Sequence, residues 1–266
     1  IGVNAAIFTV VNAVLLEPLP YPQPDRVMMV WTYNPRQGFD KDVGTYPNFN
    51  DWRRASETFE RMSAYTGTSV TLTGSGDPTQ LRGARVTHEF FETMGMRPSH
   101  GHAFVPANGR AGGERVVILA HGLWSGRFGA DAGMVGRQII LNGLSYEVVG
   151  VMPPEFAHPA DAEFWIPLAP VGNLEELFTA RGSYWLTIIG RLKPGITQTA
   201  AQAEMDAIAA RLENEYPSNA GIGIRLVPMH QELVGDVRWP LLILLGAVSF
   251  VLLIACANVA NLLLTR

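Results

Sequence analysis

The run from Trp239 to Leu264, WPLLILLGAVSFVLLIACANVANLLL, constrains this chain more than any other stretch. It carries no charged residue. At ~1.5 Å per residue a helix of that length reaches about 39 Å, more than the ~30 Å hydrocarbon layer of a bilayer. A helix in a water-soluble core would keep a polar stripe for solvent, and none is visible at helical spacing. The run therefore predicts a transmembrane helix over 239–264, with the lipid bilayer as a partner. Asn258 and Asn261 lie three apart and share a face, beside the small residues Ala255, Ala257 and Ala260. They predict packing against a neighbouring helix, with direct substrate contact as the alternative.

Ile1 to Leu16, IGVNAAIFTVVNAVLL, is also uncharged, but it is too short to span a membrane fully. It lacks the basic flank and small-residue cleavage site of a signal peptide. It predicts the C-terminal part of a first transmembrane helix over 1–16, whose beginning precedes Ile1, with Asn4 and Asn12 as its polar positions. Pro18, Pro20, Pro22 and Pro24 then predict an extended, stiff connector over 17–25. One helix in and one helix out place residues 26–238 on one side of the membrane. Arg266, directly after the second helix, favours a cytoplasmic C-terminus, which makes the central region extracytoplasmic; long loops are translocated whatever charge they carry.

The net charge of −4 gives no support for a nucleic-acid partner or an anionic membrane surface. Cys256, the single cysteine, lies inside the last apolar run, so the central region holds no disulfide.

Within the central region, Arg26–Tyr33 predicts a strand. Phe49, Trp52, Phe59 and Met62 recur at helical spacing and predict an amphipathic helix over 46–65 that starts near Asn48 or Asn50. Phe49, Trp52 and Phe59 then form its core face, or a docking surface for a periplasmic partner. Ser69–Thr73 and Gln80–Val86 predict a hairpin across Gly74–Pro78. Thr87–Met94 predicts a short helix with Thr87 as N-cap and Gly95 at its end. A strand over Arg115–Ala120 precedes a helical turn over Gly122–Phe128. Gln138–Leu141 and Ser145–Met152 flank Asn142-Gly143, the residue pair of a type I′ hairpin turn. Tyr184–Leu192, Thr197–Glu215 and Gly223–Pro228 predict strand, helix and strand, a βαβ unit with Ala201, Met205, Ile208 and Leu212 on the buried face. The fold class is α+β, or mixed α/β.

No catalytic chemistry emerges. A phosphate-binding loop needs Gly-x4-Gly-Lys-Ser/Thr, and neither Lys41 nor Lys193 has that setting. Val116–Trp124 has the outline of a hydrolase strand and oxyanion loop, but Gly143-Leu144-Ser145-Tyr146-Glu147 lacks the second glycine of a nucleophile elbow. That leaves His121 as a loop histidine. His100 and His102, with His88, His121, His158 or His230, could in principle ligate a metal, yet no metal-binding signature is present. The reading is a non-enzyme with no catalytic, cofactor-binding or metal residue and no cofactor.

Several phrases in order along the chain carry a resemblance: GVNAAIFTVVNAVLLEPLPYPQPDRV, TYPNFNDWR, FFETMGMRP, LWSGRFGAD, VVGVMPPEF, GRLKPGITQTAAQAEMDAIAARL and LIACANVANLLLTR. The chain resembles the FtsX-like permeases with a MacB-like periplasmic core domain, in particular their duplicated orphan group. One departure is His100-Gly101-His102 before Phe104, where relatives carry Leu-Gly-Arg. The resemblance implies an inner-membrane permease subunit of an ABC-type system, with its core domain, over 26–238, in the periplasm. That domain divides into a porter-like part, 26–102 and 181–238, and an inserted sabre-like part, 103–180. It also implies a separate ABC-type ATPase subunit, a homo- or heterodimer with another permease, and a periplasmic partner. The alternative is a membrane-anchored periplasmic binding or scaffolding module without an ATPase.

Overall fold

A computed structural model describes residues 21–74, 76–169, 175–233 and the single positions 235, 243, 246, 250, 253 and 254. The chain divides into two units. One is Pro20–Pro228; the other joins Ile1–Leu19 to Met229–Arg266. Of the second unit, residues 229–233 are helical, as are the single positions 235, 243, 246, 250, 253 and 254. Ile243, Phe250, Leu253 and Ile254 are all more than 60% exposed. Among the described residues no helix is long and apolar enough to cross a membrane. The predicted segment over 1–16 and most of 239–264, with Asn4, Asn12, Asn258 and Asn261, lies outside the described residues.

The Pro20–Pro228 unit is built on strands β1 (Val27–Asn34), β2 (Phe39–Asp42), β3 (Phe59–Thr73), β4 (Thr79–Val86), β5 (His100–Gly101), β6 (Val116–Leu119), β7 (Gln138–Leu141), β8 (Leu144–Val151), β9 (Phe164–Pro167), β10 (Thr187–Leu192) and β11 (Gly223–Pro228). Its α-helices are α1 (Tyr46–Ala55), α2 (Phe90–Met94), α3 (His121–Phe128) and α4 (Gln198–Glu215). The strands run in the order β11-β1-β10-β3-β4-β9-β6-β8-β5. An α+β fold with mixed strand directions results.

The predicted βαβ unit is present, but split. β1 pairs antiparallel with both β10 and β11, so those two strands run parallel with β1 between them while α4 crosses over. Thr197 caps α4 by accepting the Ala200 amide at 3.2 Å. Ala201, Met205, Ile208 and Leu212 are buried on one face at the helical period. With Phe49 and Trp52 of α1 and Met28, Val30 and Ile188 of the sheet, they make the first core.

The second core has a different container. β3 pairs β4, β4 pairs β9, β9 pairs β6, β6 pairs β8, β8 pairs β7, and β7 pairs back onto β3 at Leu72 and Leu141. The six strands thus close on themselves around Val70, Leu72, Leu81, Val117, Leu119, Val148 and Phe164. Closure leaves no free edge within the ring. The β7–β8 turn is the predicted one, with φ of 50° at Asn142 and 75° at Gly143.

The helix predicted over 46–65 stops at Ala55, and Phe59 and Met62 lie in β3. A β-bulge explains the misleading period. Phe59 faces Leu192 and Arg61 faces Arg191, so Glu60 is an extra residue. The bulge turns both Phe59 and Met62 inward although they are three apart, which mimics a helical stripe. The N-cap of α1 is Thr45, which accepts the Asn48 amide at 3.3 Å. Asn48 is instead buried inside the helix, where its side-chain amide exchanges two 3.1 Å hydrogen bonds with that of Asn219. Likewise Thr87 does not cap α2: its hydroxyl accepts the Ala64 amide at 3.2 Å, while Gly95 ends that helix at φ 73° as expected.

Glu204 of α4 fixes the turn where α1 gives way to β3. Its carboxylate accepts the Glu57 amide at 2.7 Å, the Thr58 amide at 3.1 Å, the Ser56 hydroxyl at 2.5 Å and the Thr58 hydroxyl. Burial alone would raise its pKa, but the hydrogen bonds from Ser56, Thr58 and the two amides outweigh it and hold the group below the usual carboxylate range. A depressed carboxylate stabilises the fold above its unfolded pKa and loses that contribution as pH falls through the folded value. Glu204→Gln should lower unfolding free energy at neutral pH by about 2 kcal/mol. Chemical denaturation at pH 7 and at pH 3 checks this, since the gap between variant and parent should narrow at the lower pH.

Candidate functional site

The most built feature of the Pro20–Pro228 unit is the seat of its first residues. The described part of the predicted connector is not a free spacer. Gln23 takes a left-handed conformation and Pro24–Arg26 forms a 3-10 turn. Tyr21 is buried, and its hydroxyl pKa is pushed up to about 12 by that burial. Residues 17–20 lie outside the described residues.

Two arginines hold the segment. Arg191, on β10 and itself 5% exposed, donates from Nη1 to the carbonyl of Pro22 at 3.1 Å and from Nε to the carbonyl of Thr93 at 2.8 Å. It thereby ties the entering chain to the end of α2. The guanidinium sits where a Cβ on Gly95 would be, 2.7 Å from Nη2, so a side chain there would displace the clasp. Burial, then the charge of Arg26, lowers the Arg191 pKa against the opposing pull of Glu60. Arg26 donates from Nε to the Leu192 carbonyl at 2.8 Å and pairs with the carboxylate of Glu60, the bulge residue.

Beneath the clasp lies an aromatic cluster. Tyr21 meets Phe156 at 5.8 Å between ring centroids; Phe156 meets Trp165 at 5.3 Å and Phe91 at 5.6 Å. Phe90 and Phe91 come from α2, whereas Phe156 and Trp165 come from the chain after β8 and from β9. The entering chain thus touches groups from widely separated parts of the sequence. His158 closes the cluster, 5.2 Å from Tyr65 in an edge-on arrangement and 6.1 Å from Phe90 in a stacked one. Its Nε2 has no hydrogen-bond partner among the described residues.

The residues that could have signalled chemistry are scattered. His100 rests on Trp124 at 4.9 Å, His102 Nδ1 contacts the Ala103 carbonyl at 2.8 Å, and His88 pairs with Glu89 at 3.0 Å. Among the described residues no three metal-ligating side chains form a group. His121 opens α3, edge-on to Trp124 at 5.5 Å. Ser145 lies on the exposed hairpin and donates to Gln138 at 2.8 Å. Phe49 and Trp52 are fully enclosed core residues at 0% and 1% exposure, which removes them as a docking surface. Tyr21 and Arg191 carried no local signal, because their roles arise only from contacts about 100 to 170 residues apart in sequence.

The sequence over residues 1–208 matches the family model for the MacB-like periplasmic core domain. The chain belongs to that family. No curated protein matches the sequence. Among solved structures, the periplasmic region of MacB from Actinobacillus actinomycetemcomitans is similar with a TM-score of 0.59 at 13% identity, covering 85% of this chain and 98% of that one. The extracellular domain of the ABC-type transporter YknZ from Gram-positive bacteria is similar with a TM-score of 0.53 at 13% identity, covering 75% of this chain and 99% of that one. At such identities the likeness establishes a shared fold. Within the family fold, the clasp and the aromatic cluster are the features that fasten the chain's entrance to the domain.

Burial lowers the His158 pKa from 6.5 to about 4. The unfolded chain therefore binds a proton below pH 6.5 that the folded chain refuses until about pH 4, and stability declines across that window. Between pH 7.5 and pH 5 this one group should cost about 2 kcal/mol. His158→Phe should flatten the decline, as measured by denaturant unfolding at several pH values.

Proposed function

We propose that this chain is the periplasmic core domain of an ABC-type inner-membrane permease together with the C-terminal part of its first transmembrane helix and its second transmembrane helix. In this reading it is a non-enzymatic segment that transmits motion. The carrying observation is that the first strand of the Pro20–Pro228 unit pairs with its last. Met28, at the start of β1, is the partner of Pro228, at the end of β11. Neighbouring first and last strands suit a chain that carries a membrane helix on either side, 1–16 and 239–264. The exposed, helical Ile243, Phe250, Leu253 and Ile254 add support, since in water four such residues would be unfavourable and in lipid they are at home.

Energy would come from a separate ATPase subunit, because the chain has no phosphate-binding loop of its own. Nucleotide-driven movement in the cytoplasm would reach the periplasm through the helices and the connector. Arg191 and Tyr21 would then pass it to β10, α2 and the aromatic cluster. The porter-like part, 26–102 and 181–238, and the sabre-like part, 103–180, would open or close against a second permease or a periplasmic partner. The similar structures are described as a region of MacB and a domain of an ABC-type transporter, which supports the same assignment here.

Co-purification of the full-length parent protein in mild detergent, with cysteine cross-linking of the periplasmic domain with and without nucleotide, tests the reading. An ATPase should be retained and nucleotide should change the cross-links. Arg191→Met should leave ATPase association intact and reduce the nucleotide-dependent change by about tenfold, an effect on the scale of ordinary coupling energies. A protein that emerges alone and indifferent to nucleotide would point to an anchored binding module instead.

A further inference from the structure

A small cavity of about 210 Å³ lies where β4, β8 and β9 meet the loop that precedes β6, with Arg85, Arg110 and Arg115 on its wall. They come from three places: Arg85 from within β4, Arg110 from the end of the 3-10 turn Pro106–Gly109, and Arg115 from the residue before β6. None of the three side chains has a hydrogen-bond or ion-pair partner among the described residues. Glu114 is the single carboxylate on the same wall. Arg85 is half-buried and Arg110 and Arg115 are exposed, so in a chain of net charge −4 this concavity presents three cations to solvent against one anion.

A second observation points the same way. Asn108, 6% exposed, lines this cavity. Its Oδ1 accepts the Val105 amide at 2.8 Å, while its side-chain nitrogen has no partner among the described residues. The Asn108 side-chain amide is thereby held in place on the wall that carries the three guanidinium groups. Ile166, Pro167 and Ala169 give the lining an apolar part, beside the ring of Tyr146. Leu144, 45% exposed, stands at its edge.

We infer that this cavity binds a small organic anion, a phosphate or carboxylate carried on a short apolar group. Guanidinium forks match the paired oxygens of either anion and bind them through charge-assisted hydrogen bonds. The partial enclosure limits screening by salt. At about 210 Å³ the space falls below the ~300–1,000 Å³ typical of drug-sized ligands, which restricts the occupant to a compact head with a short arm. The site lies away from the β1–β11 edge and does not depend on the transport reading.

Calorimetric titration of the whole chain in detergent with phenyl phosphate, benzoate and inorganic phosphate tests the inference. Phenyl phosphate or benzoate should bind saturably, at least about tenfold more tightly than inorganic phosphate, and the tighter of the two identifies the head group. The combined substitution Arg85→Gln, Arg110→Gln and Arg115→Gln should weaken binding by about a hundredfold, and Asn108→Asp by about tenfold through repulsion of the anion. Thermal unfolding of each variant shows whether the fold is intact. Equal affinities for variant and parent, or no saturable binding of any probe up to about 10 mM, would overturn the site.

Discussion

Everything in the Pro20–Pro228 unit depends on one strand serving two parts of one sheet. The first part of β3 is hydrogen-bonded to β10 from Phe59 to Tyr65, and the remainder to β4 from Tyr65 to Leu72. Its side chains therefore feed both cores: Met62 and Ala64 the first, Val70 and Leu72 the second. A one-residue slip would turn every one of those side chains to the wrong face. The bulge at Glu60 sets the phase at one end, and the pairing of Leu72 with Leu141 sets it at the other. Two hydrophobic cores are thereby phased by a single backbone.

The buried guanidinium of Arg191 is the other unusual commitment. A charge out of water is costly unless its donors are occupied, and here two carbonyls, from Pro22 and Thr93, take the place of a carboxylate while Nη2 has no partner among the described residues. Carbonyl dipoles compensate a cation less completely than an ion pair does, which accords with the downward pull on its pKa. The arrangement is tolerable because the entering chain and the end of α2 are held by the same group. Loss of either carbonyl would leave the charge stranded, so the clasp and the fold around it stand or fall together.

Local patterns gave away local structure. The four-residue repeat of Ala201, Met205, Ile208 and Leu212 and the Asn142-Gly143 turn were legible because neighbours in sequence determine them. The helix expected over 46–65 was misplaced because a bulge can give a strand the spacing of a helix. The ring of six strands was invisible for a different reason: the β3–β7 contact that closes it joins residues about 70 apart, and no window of sequence contains both. The same holds for the clasp. The phrases around Arg191 and Pro22 both served the family resemblance, but neither showed that the two residues meet. Arg85, Arg110 and Arg115 stood in three unrelated stretches, each an ordinary surface cation until the fold gathered them.

The register that sets Met28 against Pro228 also fixes how this domain can carry load. β1 and β11 are antiparallel neighbours whose outer ends lie together, so opposed pulls on those two ends would peel their hydrogen bonds one after another, the weakest way to load a pair of strands. Equal displacement of both ends leaves every bond in the ladder unstrained. A unit built in this manner is robust to equal displacement of both strand ends, and it yields when those two ends are driven apart.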